Sequence, residues 1–283
     1  MDEKTGIRMT PRALLLSTAR ELAARGVPDP ETDAALLLAY LLSREPLSLR
    51  VDMETELSAD TLSAFRVLAE RRASREPLQY ILGSVPFCGL TFQVDPRVLI
   101  PRPETALLAE WALEELQDVS SPAVLDLCCG SGCLGLTVKR RRPDARVTLA
   151  DLSPDALQVA RMNASTLETD VEFLQGDLFS PLLTRYDLIL SNPPYIPSGQ
   201  CSSLQEEVLR EPPMALDGGS DGLDFYRRIV REAPAYLFPG GRLMLELGDG
   251  EAEPVRELLP AAGFTSAVVR KDLAGLDRML LAK

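Results

Sequence analysis

Val124-Leu125-Asp126-Leu127-Cys128-Cys129-Gly130-Ser131-Gly132 is a short apolar run that ends in a turn holding two glycines, and a helical pattern at 134–139 follows it. A run of this length reads as a buried strand. Glycines directly after it let the backbone approach a ligand, and the next helix presents free N–H groups. The alternation continues downstream: 146–150, 171–174, 186–190, 242–247, 264–270 and 278–281 read as strands, and 155–163, 223–237 and 254–262 as helices. With 123–127 these make a mostly parallel sheet of seven strands in an α/β domain, covered by helices on both faces.

Upstream the pattern is different. Thr10 caps a first helix with Pro11 at its first position, and Leu14, Leu15, Ala19, Leu22 and Ala23 recur at helical spacing. A second helix starts at Asp29-Pro30-Glu31 and runs to Leu42. A third follows Ser58, with Leu62, Phe65, Leu68 and Ala69 on one stripe. Residues 1–76 therefore read as a small helical bundle that docks a substrate. Residues 77–104, with β-forming side chains around Gly89 and prolines at 96, 101 and 103, read as a linker with a hairpin, and 105–283 as the α/β domain.

Composition narrows the function. The chain has 283 residues and a formal net charge of −12, which opposes condensation onto nucleic acid and favours a protein partner. The basic run Lys139-Arg140-Arg141-Arg142 reads as the solvated end of a helix. No stretch reaches the roughly 18 apolar residues of a membrane span, and Met1-Asp2-Glu3-Lys4 has no signal-peptide layout, so no membrane association and a cytoplasmic location are expected. There is no histidine, which removes the commonest general base and the histidine-dependent triads. The five cysteines lack zinc-site spacing, and no metal is expected.

Asp151 ends the second strand about 20 residues after the glycines, where a carboxylate accepts from both hydroxyls of a ribose. A nucleoside cofactor is expected. Asp126, just before the turn, would repel a pyrophosphate but tolerates the cationic S-adenosylmethionine. Gly176-Asp177-Leu178-Phe179 follows the third strand, placing Asp177 to accept from an adenine amino group and Leu178 or Phe179 to pack on the ring.

Ser191-Asn192-Pro193-Pro194-Tyr195 follows a central strand, at the carboxyl edge where open α/β sheets bind ligands. Two prolines remove two N–H donors and leave carbonyls free to accept, while Asn192 adds a side-chain oxygen. Two acceptors that take both hydrogens of a planar NH₂ draw the nitrogen lone pair out of conjugation. Tyr195 packs on the flat group and orients it, so catalysis is mainly positioning.

With these residues in place, the chain resembles, nearly end to end, the HemK/PrmC family of bacterial release factor glutamine N-methyltransferases. Besides Asn192-Pro193-Pro194-Tyr195, the likeness rests on Glu76-Pro77-Leu78-Gln79-Tyr80-Ile81-Leu82-Gly83, Leu99-Ile100-Pro101-Arg102-Pro103-Glu104-Thr105, Glu211-Pro212-Pro213-Met214-Ala215-Leu216 and Gly218-Gly219-Ser220-Asp221-Gly222-Leu223. It implies a Rossmann-like class I methyltransferase domain, S-adenosylmethionine as cofactor, and the glutamine of a Gly-Gly-Gln loop in a class 1 peptide chain release factor as substrate. It also implies a helical domain that helps grip that factor.

By the same resemblance, Cys128, Cys129, Gly130, Ser131, Gly132, Asp151, Leu178 and Asn192 contact the cofactor, and Asn192 to Tyr195 hold the glutamine. Cys128-Cys129 stands where the family usually has Gly-Thr. Glu251 stands where it tends to have Gln, and receives no role. A monomer is expected. A ribosomal-protein glutamine methyltransferase, an adenine-N6 nucleic-acid methyltransferase and a non-enzymatic binding module stay open as alternatives.

Overall fold

A computed structural model describes residues 9–51, 53–180 and 182–283; Met1 to Lys4, read above for a leader, lie outside the described residues. The chain divides into two compact units. One runs to Gly83 and includes Glu206–Arg210; the other holds Ser84–Gln205 and Glu211–Lys283.

In the helical unit, α1 (Pro11–Ala24) starts where the Thr10 hydroxyl accepts from the Ala13 amide at 3.4 Å, with Pro11 in the first turn. α2 (Pro30–Leu41) follows, and α3 (Ala59–Ala73) is capped by Ser58, which accepts from the Thr61 amide at 3.1 Å. A short α4 (Leu78–Leu82), not anticipated from the sequence, ends on Gly83 at φ 73°. Leu78 and Ile81 join Leu14, Leu37, Leu38 and Phe65 in the core, so this unit extends past the boundary expected at 76.

A buried ion cluster joins the segment Glu206–Arg210 to the bundle. Arg72 Nε donates to Asp33 at 2.6 Å and its Nη2 to Glu207 at 2.8 Å, while Arg75 donates to both Glu207 oxygens at 2.7 and 2.5 Å. Burial alone would raise Glu207, but the bonds from Arg75 and Arg72 hold its carboxyl down at about 2. Asp33 is shifted the other way, because burial outweighs its bond from Arg72.

The second unit opens with the expected hairpin, β1 (Ser84–Phe87) and β2 (Leu90–Gln93), turned by Cys88 and Gly89 at φ 49° and 74°. Two successive positive φ angles give the turn whose twist matches paired strands. Then come α5 (Pro103–Glu115), β3 (Ala123–Leu127), α6 (Cys133–Arg141), β4 (Arg146–Asp151), α7 (Pro154–Thr166), β5 (Glu172–Gln175), β6 (Tyr186–Ser191), α8 (Ser198–Cys201), α9 (Asp224–Glu232), β7 (Leu237–Glu246), α10 (Ala252–Ala262), β8 (Ala267–Lys271) and β9 (Asp277–Ala282).

The seven-stranded sheet has the order β5-β4-β3-β6-β7-β9-β8, parallel except that β9 runs antiparallel to β7 and β8. All of β3 is buried, and on one face of the sheet Leu125, Ile189, Leu243 and Leu245 pack with Tyr226, Ile229 and Val255 of α9 and α10. The helix expected over 223–237 stops at Glu232 and tightens to a 3₁₀ turn over Ala233–Tyr236. Pro234 has no N–H to donate and its ring clashes with the carbonyl four residues back, so the chain leaves the α-helix and β7 begins early, at Leu237. The basic run closes α6: Lys139 donates to the carbonyls of Pro143 and Ala145, Arg141 to that of Cys88, and Arg142 to those of Leu116 and Val119.

Candidate active site

β3 and β6 are neighbours whose onward connections lead to opposite sides of the sheet, which creates a crevice at their carboxyl ends. Leu127 and Ser191 are paired there, and the Ser191 hydroxyl donates to the Leu127 carbonyl at 2.7 Å. The glycine turn and the Asn-Pro-Pro-Tyr segment therefore start side by side. Cys128, Gly130 and Gly132 all adopt positive φ, at 60°, 53° and 80°. Cys128 does so at a cost of about 1 kcal/mol, since its Cβ crowds the backbone in the left-handed region. Asp151, at the end of β4, accepts from the Gly130 amide at 2.9 Å and from the Ser153 amide at 2.8 Å.

A cavity of about 440 Å³ opens over this edge, and its wall includes Cys128, Gly130, Asp151, Asp177, Leu178, Asn192 and Pro194 of the residues singled out from sequence. Burial raises Asp151, opposed by the amides of Gly130 and Ser153. Asp177 is exposed and paired with Arg228 at 2.8 Å. Leu178 forms part of the wall, whereas Phe179 is stacked on Tyr236 at 4.9 Å within the core.

Asp126, Cys129, Ser131, Gly132, Pro193 and Tyr195 lie outside the cavity wall. Asp126 is fully buried behind the turn, where it accepts from the Gly135 amide at 2.8 Å. Burial pushes it up to about 7, so it is not a full negative charge facing a ligand. Cys129 and Ser131 are buried, and the Ser131 carbonyl accepts from Asn163 at 2.9 Å. Gly132 caps α6, where an added Cβ would sit 3.0 Å from Leu136. Burial raises the thiols of Cys128, Cys129 and Cys133, which keeps them protonated and weakly nucleophilic.

Asn192 points its side-chain nitrogen at the Thr105 hydroxyl, 3.3 Å away, at the start of α5. Tyr195 is directed inward, its hydroxyl donating to Glu246 Oε1 at 3.5 Å. The glycine-rich loop after it explains its own composition: a Cβ on Gly218 would lie 2.7 Å from Tyr195 Cα, and one on Gly222 2.4 Å from the Tyr195 carbonyl oxygen. Only glycine permits that approach. Glu251 accepts from the Gly248 amide at 2.7 Å and, largely through burial, is pushed up to about 7.

Several residues of the site carried no role in the sequence reading. Glu211, nearly inaccessible, accepts from the Ile100 amide at 2.8 Å and pairs with Arg102, tying the segment before α5 to the loop that brings Pro212, Met214 and Ala215 to the cavity. Arg97, clamped by Asp95, and Phe225 also line the wall. The Leu99–Thr105 and Glu211–Leu216 motifs were visible as words. Their mutual contact, which gives them meaning, is not encoded in any local spacing.

Comparison with known proteins places this geometry. Residues 13–83 match the family model described as PrmC N-terminal domain, and 105–219 the one described as Methyltransferase small domain. Among solved structures, a 16S rRNA N2 G1207 methyltransferase of T. thermophilus, in complex with AdoMet and guanosine, is 25% identical with a TM-score of 0.53, covering 71% of this chain and 49% of that one. The release factor glutamine methyltransferase of Geobacter sulfurreducens is 45% identical over 99% of this chain and 98% of its own length. That of Deinococcus radiodurans is 42% identical over 96% and 98%. The parallel sheet, the crevice at its switch point and this full-length similarity together assign the chain to the family of release factor glutamine methyltransferases.

Proposed function

We propose that this protein transfers the methyl group of S-adenosylmethionine to the side-chain amide nitrogen of the glutamine in the Gly-Gly-Gln loop of a class 1 release factor. The observation that carries the mechanism is the Asn192–Thr105 contact: with its NH₂ donated to Thr105, Asn192 keeps its oxygen for an incoming amide.

The cavity suits the cofactor. Its volume accepts a nucleoside with an amino-acid tail. Asp151 has lone pairs left for ribose hydroxyls, Leu178 and Phe225 supply apolar surface for a base, and Asp217 joins Asp151 in the wall to balance a cation. Bound there, S-adenosylmethionine would supply an electrophilic methyl group, its sulfur keeping the S–C bonding pair as the N–C bond forms. Asn192 Oδ1 and a carbonyl of the diproline accept the two hydrogens of the substrate amide and hold its nitrogen toward the cavity, and the methylated nitrogen gives up one proton to water. No imidazole base is needed, because orientation and release of the lone pair supply the acceleration. Tyr195, turned toward Glu246, sets the shape of the segment rather than lining the cavity. The helical unit contributes to gripping the release factor.

Incubation with S-adenosylmethionine and a purified release factor, followed by fragment mass spectrometry, tests this directly. A methyl group on the glutamine of the Gly-Gly-Gln loop is expected. A methyl group found instead on a ribosomal protein or on adenine would overturn the substrate assignment.

A further inference from the structure

We propose that Glu211 and Arg102 are positioning residues that close the rim of the cofactor cavity, so that their pairing sets how long S-adenosylmethionine stays bound. This deepens the cofactor reading above and rests on it.

The carboxyl edge of the sheet supplies one side of the cavity, but part of its wall comes from two segments that belong to no strand. Val98 and Leu99 lie in the segment before α5, and Pro212, Met214 and Ala215 in the loop before α9. Each segment is pinned at its far end. The first is held on α7, where Gln93 and Asn163 exchange hydrogen bonds at 2.6 and 3.0 Å and Arg97 donates to Gln158 at 2.9 Å. The second is held on the residue after Tyr195: Ile196 donates to the Leu216 carbonyl at 2.9 Å and accepts from the Gly218 amide at 2.8 Å. Their near ends meet at Glu211. One oxygen of its carboxylate accepts from the Ile100 amide at 2.8 Å and the other from the Arg102 guanidinium, 111 and 109 positions away in sequence. That carboxylate closes the ring from α7 round to the Asn192–Tyr195 segment.

A loosened junction would be felt along the whole rim. The Glu211 side chain is 1% exposed, so water does not readily replace a bond lost there. The chain beside it is stiff. Pro101 and Pro103 flank Arg102, and Pro212 and Pro213 follow Glu211, so fixed φ angles carry a shift at the junction to Leu99 and Met214 instead of absorbing it. A ligand held behind a closed rim leaves when the rim opens, so weakening the pair acts mainly on the dissociation rate.

The test measures S-adenosylhomocysteine binding by stopped flow and calorimetry, with the thermal midpoint of the free protein, for wild type, Glu211→Gln, Arg102→Met and the double variant. Binding is read at a temperature where all four are folded. Glu211→Gln sets an amide NH₂ against one of two donors, and Arg102→Met leaves a buried carboxylate one partner short. Each is expected to raise the dissociation rate about 10-fold or more. Because the two residues act through one pair, the double variant should release the ligand no faster than the faster single variant. A structural role alone would lower the thermal midpoint and leave the rates of the folded protein unchanged. If wild type does not bind S-adenosylhomocysteine, the cofactor reading fails and the rim with it. If wild type binds and both single variants release the ligand at its rate, or if the two losses add in the double variant, the pairing alone is wrong. Should Glu211→Gln not fold, Arg102→Met decides the matter, since that side chain is 32% exposed.

Discussion

Asp151 Oδ2 accepts a hydrogen bond from the Gly130 amide at 2.9 Å, joining the end of β4 to the glycine turn after β3. One carboxylate thus shapes the turn and faces the cavity. In the proposed cofactor site the two are linked, because the lone pairs left over for a ligand are aimed by the bonds already made to the Gly130 and Ser153 amides.

Asp151→Ala is therefore expected to weaken S-adenosylhomocysteine binding by about 2 kcal/mol, or roughly thirtyfold in Kd, as ligand bonds and the order of the turn are lost together. Calorimetry on the folded variant measures this. An unchanged Kd would mean that Asp151 serves the turn alone.

Asn192→Ala removes the acceptor proposed for the substrate amide. A fall in kcat of about 100-fold or more is expected, with cofactor Kd moved by less than about threefold. Methyl transfer at the wild-type rate in this variant would refute the mechanism.

Acidity near neutrality acts on stability through Glu246. Burial, reinforced by Glu104, raises it to about 7 against the opposing influence of Thr105, Arg278 and Tyr195, and Cys133 of α6 feels the same charge. A carboxyl raised in the folded state holds its proton there more tightly than in the unfolded chain. Its contribution to stability is full below the unfolded value near 4.5 and is lost as pH rises through about 7. Glu246→Met should therefore gain about 1–3 kcal/mol over wild type at pH 8 and less than that at pH 5. A melting series across pH 5–8.5 on both proteins checks the sign.

Glu207 titrates the other way, held at about 2 by Arg75 and Arg72. Its contribution is present above the unfolded value near 4.5 and disappears as pH falls toward 2. Removing it leaves two arginines short of a partner in a nearly dry site, so Glu207→Ala should destabilise the helical unit by about 3 kcal/mol. Denaturant unfolding of the full chain, followed by hydrogen exchange in α2 and α3, measures that loss. Unaltered protection there would show that Asp33 alone suffices to hold Arg72.

The strands and most helices are legible from periodicity because their apolar positions repeat locally: Thr10 and Ser58 cap where their side-chain chemistry says they should, and β3 is buried from end to end. What escapes is non-local. Glu246 looks like one more residue of a strand, and Glu211 like part of a proline-rich loop. Glu246 draws its weight from burial and from Tyr195, and Glu211 from Arg102 and Ile100, none of it adjacent in the sequence. Asp126 is a different case: its place before the turn reads as a carboxylate near the cofactor, and alternation along β3 turns it to the α6 face, where it accepts from the Gly135 amide. Tyr195 likewise sits in the expected tetrapeptide but points toward Glu246, in space that Gly218, Gly222 and Gly248 leave open because a Cβ on any of them would meet its backbone or ring.

The short excursion Glu206–Arg210, which folds with the bundle while the chain on either side of it belongs to the sheet, changes how the two units can be inherited or recombined. A simple two-domain protein exchanges its front half at one junction. Here the chain passes between units at 83–84, 205–206 and 210–211, so a bundle grafted at the first junction alone would arrive without its Glu207 and meet a foreign segment in its place. Chimeras of this family should work only when the residues equivalent to 206–210 travel with the helical unit, and the two units should diversify as a matched pair.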